Sequence, residues 1–518
     1  MFKMAGTAVL FLVLLNGLTS RSNFVYASTD DRAIAVVRSA IEKMGGEDKL
    51  RALKSVQIDG ISHTYFIEQS ERPEGPWIVN YGQVTEVRDY ENQRVRRTTQ
   101  NRNVQVPQWT KGTTLIVANG MAATQGGDKT FPGSATQLAE AEESIALSPE
   151  RVLLTALDSK DLRLERDIPL QGSTQHVVAF SWRDATVRIY INAQTEMPTA
   201  IELVRAYPGS IFWGIWGDVQ TRIYLSLWTL EAGGIRYPRQ WDVERNNTPY
   251  QTFTVTSLAL YPKLNADLFA IPIEVSKAYE AGARRTINDI PLGLPNNPAV
   301  ETAPGIVQIP GRWNVTLVRQ SDGVVIIEAP ISSGYSDKVI AEAKRRFPGV
   351  PVKAVISTSD AWPHIGGVRG YVARDIPVYA LDLNRPILER LVKSSHRSSP
   401  DALERLPRKE PRFQIVSSKT IIGSGPNRME LYPIRSETGE RMIMVYFPEH
   451  KLLYGSDLVQ QQPDGSFFMP QYLSELIDAT RREGIPVSGV FAMHMGVKPW
   501  ADIEAAVAKA KAAPSDAN

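Results

Sequence analysis

The stretch Val355-Ile356-Ser357-Thr358-Ser359-Asp360-Ala361-Trp362-Pro363-His364-Ile365-Gly366-Gly367 leaves an apolar, strand-like run, Val352 to Ile356, and enters a polar loop carrying a carboxylate and an imidazole. Outward from it, Gly323 to Ala329 is a second strand-like run, while Ser336 to Phe347, Arg385 to Ser394 and Asp502 to Ala512 read as helices. Strand-like and helical stretches in alternation predict an α/β arrangement for residues 305–513.

Upstream the pattern changes. Residues 276–304 contain Gly-Ala-Arg-Arg, then Pro291, Gly293, Pro295, Asn296, Asn297, Pro298 and Pro304, with little periodicity, which reads as a linker. From Ser55 to about Pro272 short alternating runs, such as Val187-Arg188-Ile189-Tyr190-Ile191-Asn192, are separated by Gly, Pro, Asn and Asp, so residues 28–275 are expected to be built on a large antiparallel sheet. An amphipathic helix opens this part, with Ala33, Val36, Val37, Ala40, Ile41 and Met44 on one face and Gly45-Gly46 as its stop. A curved sheet covered by a helix can enclose an apolar cavity lined by Phe212, Trp213, Trp216, Trp228 and Trp241; alternatively these aromatics fill the core between sheet and helix. His63 and His176 are isolated and read as structural or surface residues.

At 518 residues the chain is long enough for more than one core. Residues 1–27 combine Lys3, an apolar run from Ala8 to Leu15 and Val25-Tyr26-Ala27, the pattern of a secretory signal peptide, which predicts a periplasmic or extracellular protein. No later segment is long and apolar enough to span a membrane. With no cysteine, disulfides, thiolate metal ligands and a cysteine nucleophile are excluded, and any metal must sit on His and carboxylates. Lys3 and Arg21 account for the whole formal charge of +2, so the chain without residues 1–27 is formally neutral and gives no support for nucleic-acid binding.

Several features of residues 28–275 resemble half-barrel domains of the outer-membrane lipoprotein carrier type: Gly45-Gly46-x-x-Lys49-Leu50, Asn192-x-Gln194-Thr195-x-x-Pro198-Thr199 and Gly233-Gly234-Ile235-Arg236-Tyr237-Pro238. In the C-terminal half, Gly305 to Ala329 and residues 355–367 resemble the metallo-β-lactamase-fold superfamily. The resemblance implies an αββα sandwich, so the whole chain is expected to be a two-domain α+β and α/β protein: a curved antiparallel sheet with a covering helix, followed by that sandwich. The superfamily's H-x-H-x-D-H ligands fall on Ser359, Ala361, Pro363 and His364, its third histidine on Thr438, its bridging aspartate on Asp457 and its final histidine on His494. One metal position has thus lost every imidazole, whereas His364, Asp457 and His494 remain from the other.

Two imidazoles, one carboxylate and a water satisfy a four-coordinate zinc, and suit iron or manganese as well. The alternative is a metal-free cluster of hydrogen bonds. Asp360, in the same loop, is the candidate catalytic carboxylate in place of Pro363, although a loop carboxylate is by default solvated or turn-forming. His396 and His450 match no ligand position and are expected at the surface. Three functions follow as expectations: a hydrolase with one metal at His364, Asp457 and His494, a pseudo-hydrolase without metal, or a non-catalytic protein that binds or scaffolds an apolar, lipid-like ligand.

Overall fold

The computed structural model describes residues 30–70, 72, 75–282, 285–407 and 410–512; the signal peptide read from residues 1–27 lies outside the described residues. Asp30 caps helix α1 (Asp31–Met44) by accepting from the Arg32 amide, and Ala33, Val37, Ala40, Ile41 and Met44 form its buried stripe, as helical periodicity requires. Gly45 ends the helix at φ 131°, a conformation open to glycine. A β-carbon there would stand 2.6 Å from the Gly234 carbonyl oxygen, so two of the glycine pairs noted in the sequence meet.

After α2 (Glu47–Ala52) comes a 14-stranded antiparallel sheet. Its first long strand, Ser55–Tyr65, pairs with Val79–Asp89 on one side and with the last strand, Thr248–Leu260, on the other. Successive hairpins extend the sheet in both directions from this pair. Three more helices follow within the same segment, α3 (Ala135–Ala146), α4 (Val152–Leu157) and α5 (Ile273–Gly282). Val187, Ile189 and Ile191 pack with α1 and α4, and Val56, Val95 and Phe253 pack with Ala141 and Ile145 of α3 and Tyr279 of α5. The expected single covering helix is therefore corrected to several, because a sheet this wide presents more apolar surface than one helix can cover.

The C-terminal half holds a seven-stranded and a six-stranded sheet. In the first, the strands Gly323–Ile327, Val352–Ser357, Val378–Leu381 and Phe413–Val416 run parallel. Inward residues of the two sheets, among them Leu317, Ile327, Val445, Phe447 and Phe491, form one apolar cluster. Outside the first sheet lie α6 (Ser333–Arg346), the single turn α7 (Trp362–Ile365), α8 (Val368–Ala373) and α9 (Arg385–Lys393). Leu473, Leu476 and Ile477 of α10 (Pro470–Arg482) and Ile503 and Val507 of α11 (Trp500–Ala512) cover the second. The order of layers is helix, sheet, sheet, helix. Among the described residues no helix is long and apolar enough to cross a membrane.

The two halves share a core. Tyr207, Trp213, Ile215 and Trp216 belong to the same apolar cluster as the C-terminal sheets. Trp362 stacks edge-on against Trp213 and Trp216, with ring centroids 4.8 and 5.0 Å apart, and its backbone N–H donates to the Glu68 carbonyl. Trp213 and Trp216 thus hold the two halves together. The stretch 276–304 begins inside α5 and is tied down further on: Ile287 N–H donates to Pro208 O, and Lys338 Nζ donates to the carbonyls of Asn288 and Ile290. Replacing Trp362 with Ala removes the shared ring. This change is predicted to cost about 3–5 kcal/mol, seen as a lower urea midpoint, whereas Leu230→Ala at a 70% exposed position should stay within about 0.5 kcal/mol of wild type.

Candidate metal centre

His364 sits on the one-turn helix α7 and is 1% exposed. Behind it lies Glu328, at the end of strand Gly323–Ile327, fully buried and at φ 81°. His364 Nδ1 lies 3.3 Å from Glu328 Oε2. The Thr358 hydroxyl donates to the other carboxylate oxygen, as does Tyr454 OH at 3.0 Å, and Ser456 Oγ lies 2.7 Å from Thr358 Oγ1. A carboxylate on Nδ1 fixes the tautomer and turns Nε2 outward, the arrangement found behind metal-ligating histidines.

Nε2 faces Asp457, 3.4 Å from Oδ2. Asp457 lies in the 3-10 turn Ser456–Leu458 that follows strand Leu452–Tyr454. Its other oxygen, Oδ1, is 3.0 Å from His494 Nε2 and accepts from Gln460 Nε2 at 2.9 Å. His494 occupies the tight connection between Gly489–Ala492 and Met495–Pro499. Ligand atoms of His364, Asp457 and His494 lie within 4.8 Å of one another. The structure therefore brings together the three residues expected to hold a metal, and the donor set, backed by Glu328, fits one.

Without metal the cluster is an ion network. Burial alone would lower the pKa of His364, but the carboxylates of Asp457 and Glu328 outweigh it and raise it to about 10. Burial likewise favours neutral Asp457, yet His364 and His494 hold it well below the usual carboxylate range.

Asp360 is elsewhere. It is 1% exposed, accepts from the Ser70 hydroxyl at 3.3 Å and lies 3.7 Å from Arg441 Nε, outside the group of converging ligand atoms. A solvated loop carboxylate is thereby corrected to a buried, ion-paired one. The other positions onto which the resemblance maps ligands lie in packed surroundings, Thr438 half-buried. Ser359, Ala361 and Pro363 are buried, and the Thr438 amide donates to Glu475. Arg72, from the N-terminal half, pairs with Glu440 and donates to the Glu437 carbonyl.

His396, expected at the surface, is 5% exposed and packs where a β-carbon on Gly217 would stand 2.5 Å from its ring. Trp213 and Trp216 lie at the contact between the halves, while Trp241 lines a cavity in the N-terminal half. Glu328 was missed from the sequence, and its signal was a single carboxylate ending the apolar run Val324 to Ile327.

No protein-family model matches the chain, and no curated protein does. Among solved structures it is similar to the stereoselective inverting sec-alkylsulfatase Pisa1 from Pseudomonas sp., at 14% identity and a TM-score of 0.32, over 41% of this chain and 40% of that one. It is also similar to a metallo-β-lactamase from Pontibacter korlensis, at 13% identity and a TM-score of 0.32, over 42% and 99% of the two chains. A third is the DIM-1 metallo-β-lactamase, at 15% identity and a TM-score of 0.33, over 41% and 96%. The chain spans about 40% of the length of the alkylsulfatase. Two of the three are metallo-β-lactamases by name.

The ion network sets a pH dependence. A histidine raised from about 6.5 to about 10 contributes stability that is complete below about pH 6.5 and is lost as pH rises through about 10. Asp457, held low, contributes above about pH 4 and loses that contribution as pH falls through its native pKa. The metal-free protein is predicted to show a urea midpoint that falls from pH 7 to pH 10, with a shallower fall in His364→Gln.

Proposed function

We propose that this chain is an exported two-domain protein, divided near residues 276–304, whose C-terminal half is a hydrolase working with a single metal ion on His364, Asp457 and His494. The observation that carries this reading is convergence. Three ligand atoms from three separate segments come within 4.8 Å of one another, and the innermost imidazole is backed by Glu328. The donor set suits zinc, and also iron or manganese. An ion bound there supplies Lewis acidity and lowers the pKa of a water towards about 7.

The chain's own residues do the positioning. Glu328 keeps the proton on Nδ1 of His364 and leaves Nε2 as donor to the ion. Gln460 holds the Asp457 carboxylate towards both imidazoles. The His494 side chain is 26% exposed, which puts the approach of substrate on that side. Asp360, engaged by Ser70 and Arg441, holds the loop against the N-terminal half, and we assign it no part in proton transfer. Export is supported by Lys3, the run from Ala8 to Leu15 and Val25-Tyr26-Ala27; N-terminal sequencing of the exported protein is expected to begin at Ser28.

The test is metal analysis after reconstitution with zinc, manganese or iron, coupled to hydrolysis of a p-nitrophenyl ester and a lactone. About one ion per chain is expected, with activity lost on chelation and restored on readdition. Glu328→Gln is expected to weaken metal binding by about 10–100-fold, and His494→Ala to abolish it. Less than about a tenth of an ion per chain in all three reconstitutions overturns the reading in favour of a metal-free pseudo-hydrolase.

A further inference from the structure

The loop that follows Asp457 links the metal centre to the N-terminal half. Gln460 holds the Asp457 carboxylate, and its backbone forms a β-bridge with His494. The Gln460 carbonyl accepts from the Phe468 amide, and the Phe468 ring stands edge-on to Tyr472 in the first turn of α10, with centroids 6.2 Å apart. The Tyr472 hydroxyl then accepts from Gln105 Nε2 at 3.1 Å. Gln105 belongs to the N-terminal half, between strands Arg94–Arg102 and Thr113–Ala118. A continuous series of contacts thus runs from the exposed imidazole, His494, to residues 103–110.

Hydrogen bonds fix the shape of this second loop. Asn103 Oδ1 accepts from the amides of Gln105 and Val106, both at 2.9 Å, the Asn103 amide donates to the Val106 carbonyl, and the Thr110 amide donates to the Asn101 carbonyl. Arg102 lies against the Trp109 ring, 4.9 Å from its centroid. The turn so fixed leaves Val104 72% exposed, Val106 47% and Trp109 38%. A single exposed apolar side chain is ordinary, but several together on an ordered turn beside a site form a surface that a ligand can use. Residues 103–110 include no Asp, Glu, Lys or Arg, so an apolar group placed there desolvates no charge of the loop itself.

We propose that residues 103–110 form a wall of the entrance to the metal centre and select substrates with an apolar arm beside the bond to be cleaved, held by Val104, Val106 and Trp109. This specificity rests on the reading of His364, Asp457 and His494 as a metal-dependent hydrolytic centre. The C-terminal half then supplies the metal ligands, and the N-terminal half supplies the surface that chooses the substrate.

The experiment uses the full chain reconstituted with zinc and compares p-nitrophenyl hexanoate with p-nitrophenyl acetate, which share a leaving group and differ in the arm. Each CH₂ buried is worth about fourfold, so wild type is expected to favour hexanoate by about tenfold or more in kcat/KM. Val104→Ser combined with Val106→Ser is expected to cut that preference about tenfold, through a higher KM for hexanoate, with about one zinc per chain retained. Trp109→Ala is expected to cut it about threefold or more. Leu227→Ser, at a 66% exposed position on strand Asp218–Leu230, is expected to keep the wild-type preference. With zinc bound and ester hydrolysed, equal kcat/KM for the two esters in wild type, or a preference that survives both the serine pair and Trp109→Ala, overturns the proposal and leaves the metal centre standing. Absence of zinc, or of hydrolysis of either ester, overturns the reading of the centre and this specificity with it.

Discussion

The C-terminal half is organised around a carboxylate that has no access to water. Leaving Glu328 buried and unmatched would cost several kcal/mol, so its oxygens must find donors, and those donors come from far apart in the chain. Thr358 follows strand Val352–Ser357 of the first sheet, Tyr454 ends strand Leu452–Tyr454 of the second, and His364 lies on the turn between strand and helix. Satisfying one residue therefore fixes the carboxyl ends of strands from both sheets and the orientation of the innermost imidazole. Asp457 lies three residues beyond Tyr454 and is carried into place by the same constraint.

The second consequence concerns the loop that precedes His364. Here Trp362 enters the aromatic cluster of Trp213 and Trp216, Asp360 takes a bond from Ser70, and Arg72 reaches Glu440 and the Glu437 carbonyl. This loop and the turn at residues 437–440 are where the N-terminal half packs. Ser359 and Ala361, both buried, have the small side chains that such close packing accommodates.

Much of this was legible from residue order. The αβ alternation and the antiparallel N-terminal sheet follow from periodicity, because strands and helices have local signatures, whereas the trio His364, Asp457 and His494 is what the resemblance of residues 355–367 and the later segments implies. What escaped was long-range. Glu328 lies 36 residues from its histidine, and no spacing rule joins them; Asp360 looks like an ordinary turn carboxylate until Ser70, 290 residues away, is set beside it. The roles of Trp213 and Trp216 were hidden for the same reason, since aromatic residues in a loop read alike whether they line a cavity, fill a core or meet another part of the chain.

His364, Asp457 and His494 differ in how deeply they are held. The side chain of His364 is 2% exposed, that of Asp457 14% and that of His494 26%, and support thins in the same order, from a buried carboxylate behind the first to a hairpin tip carrying the last. Side chains graded in this way give the cluster a fixed inner end and a movable outer one. The short connection between Gly489–Ala492 and Met495–Pro499 therefore carries the least anchored of the three, and it can shift without breaking the pairing of His364 with Glu328.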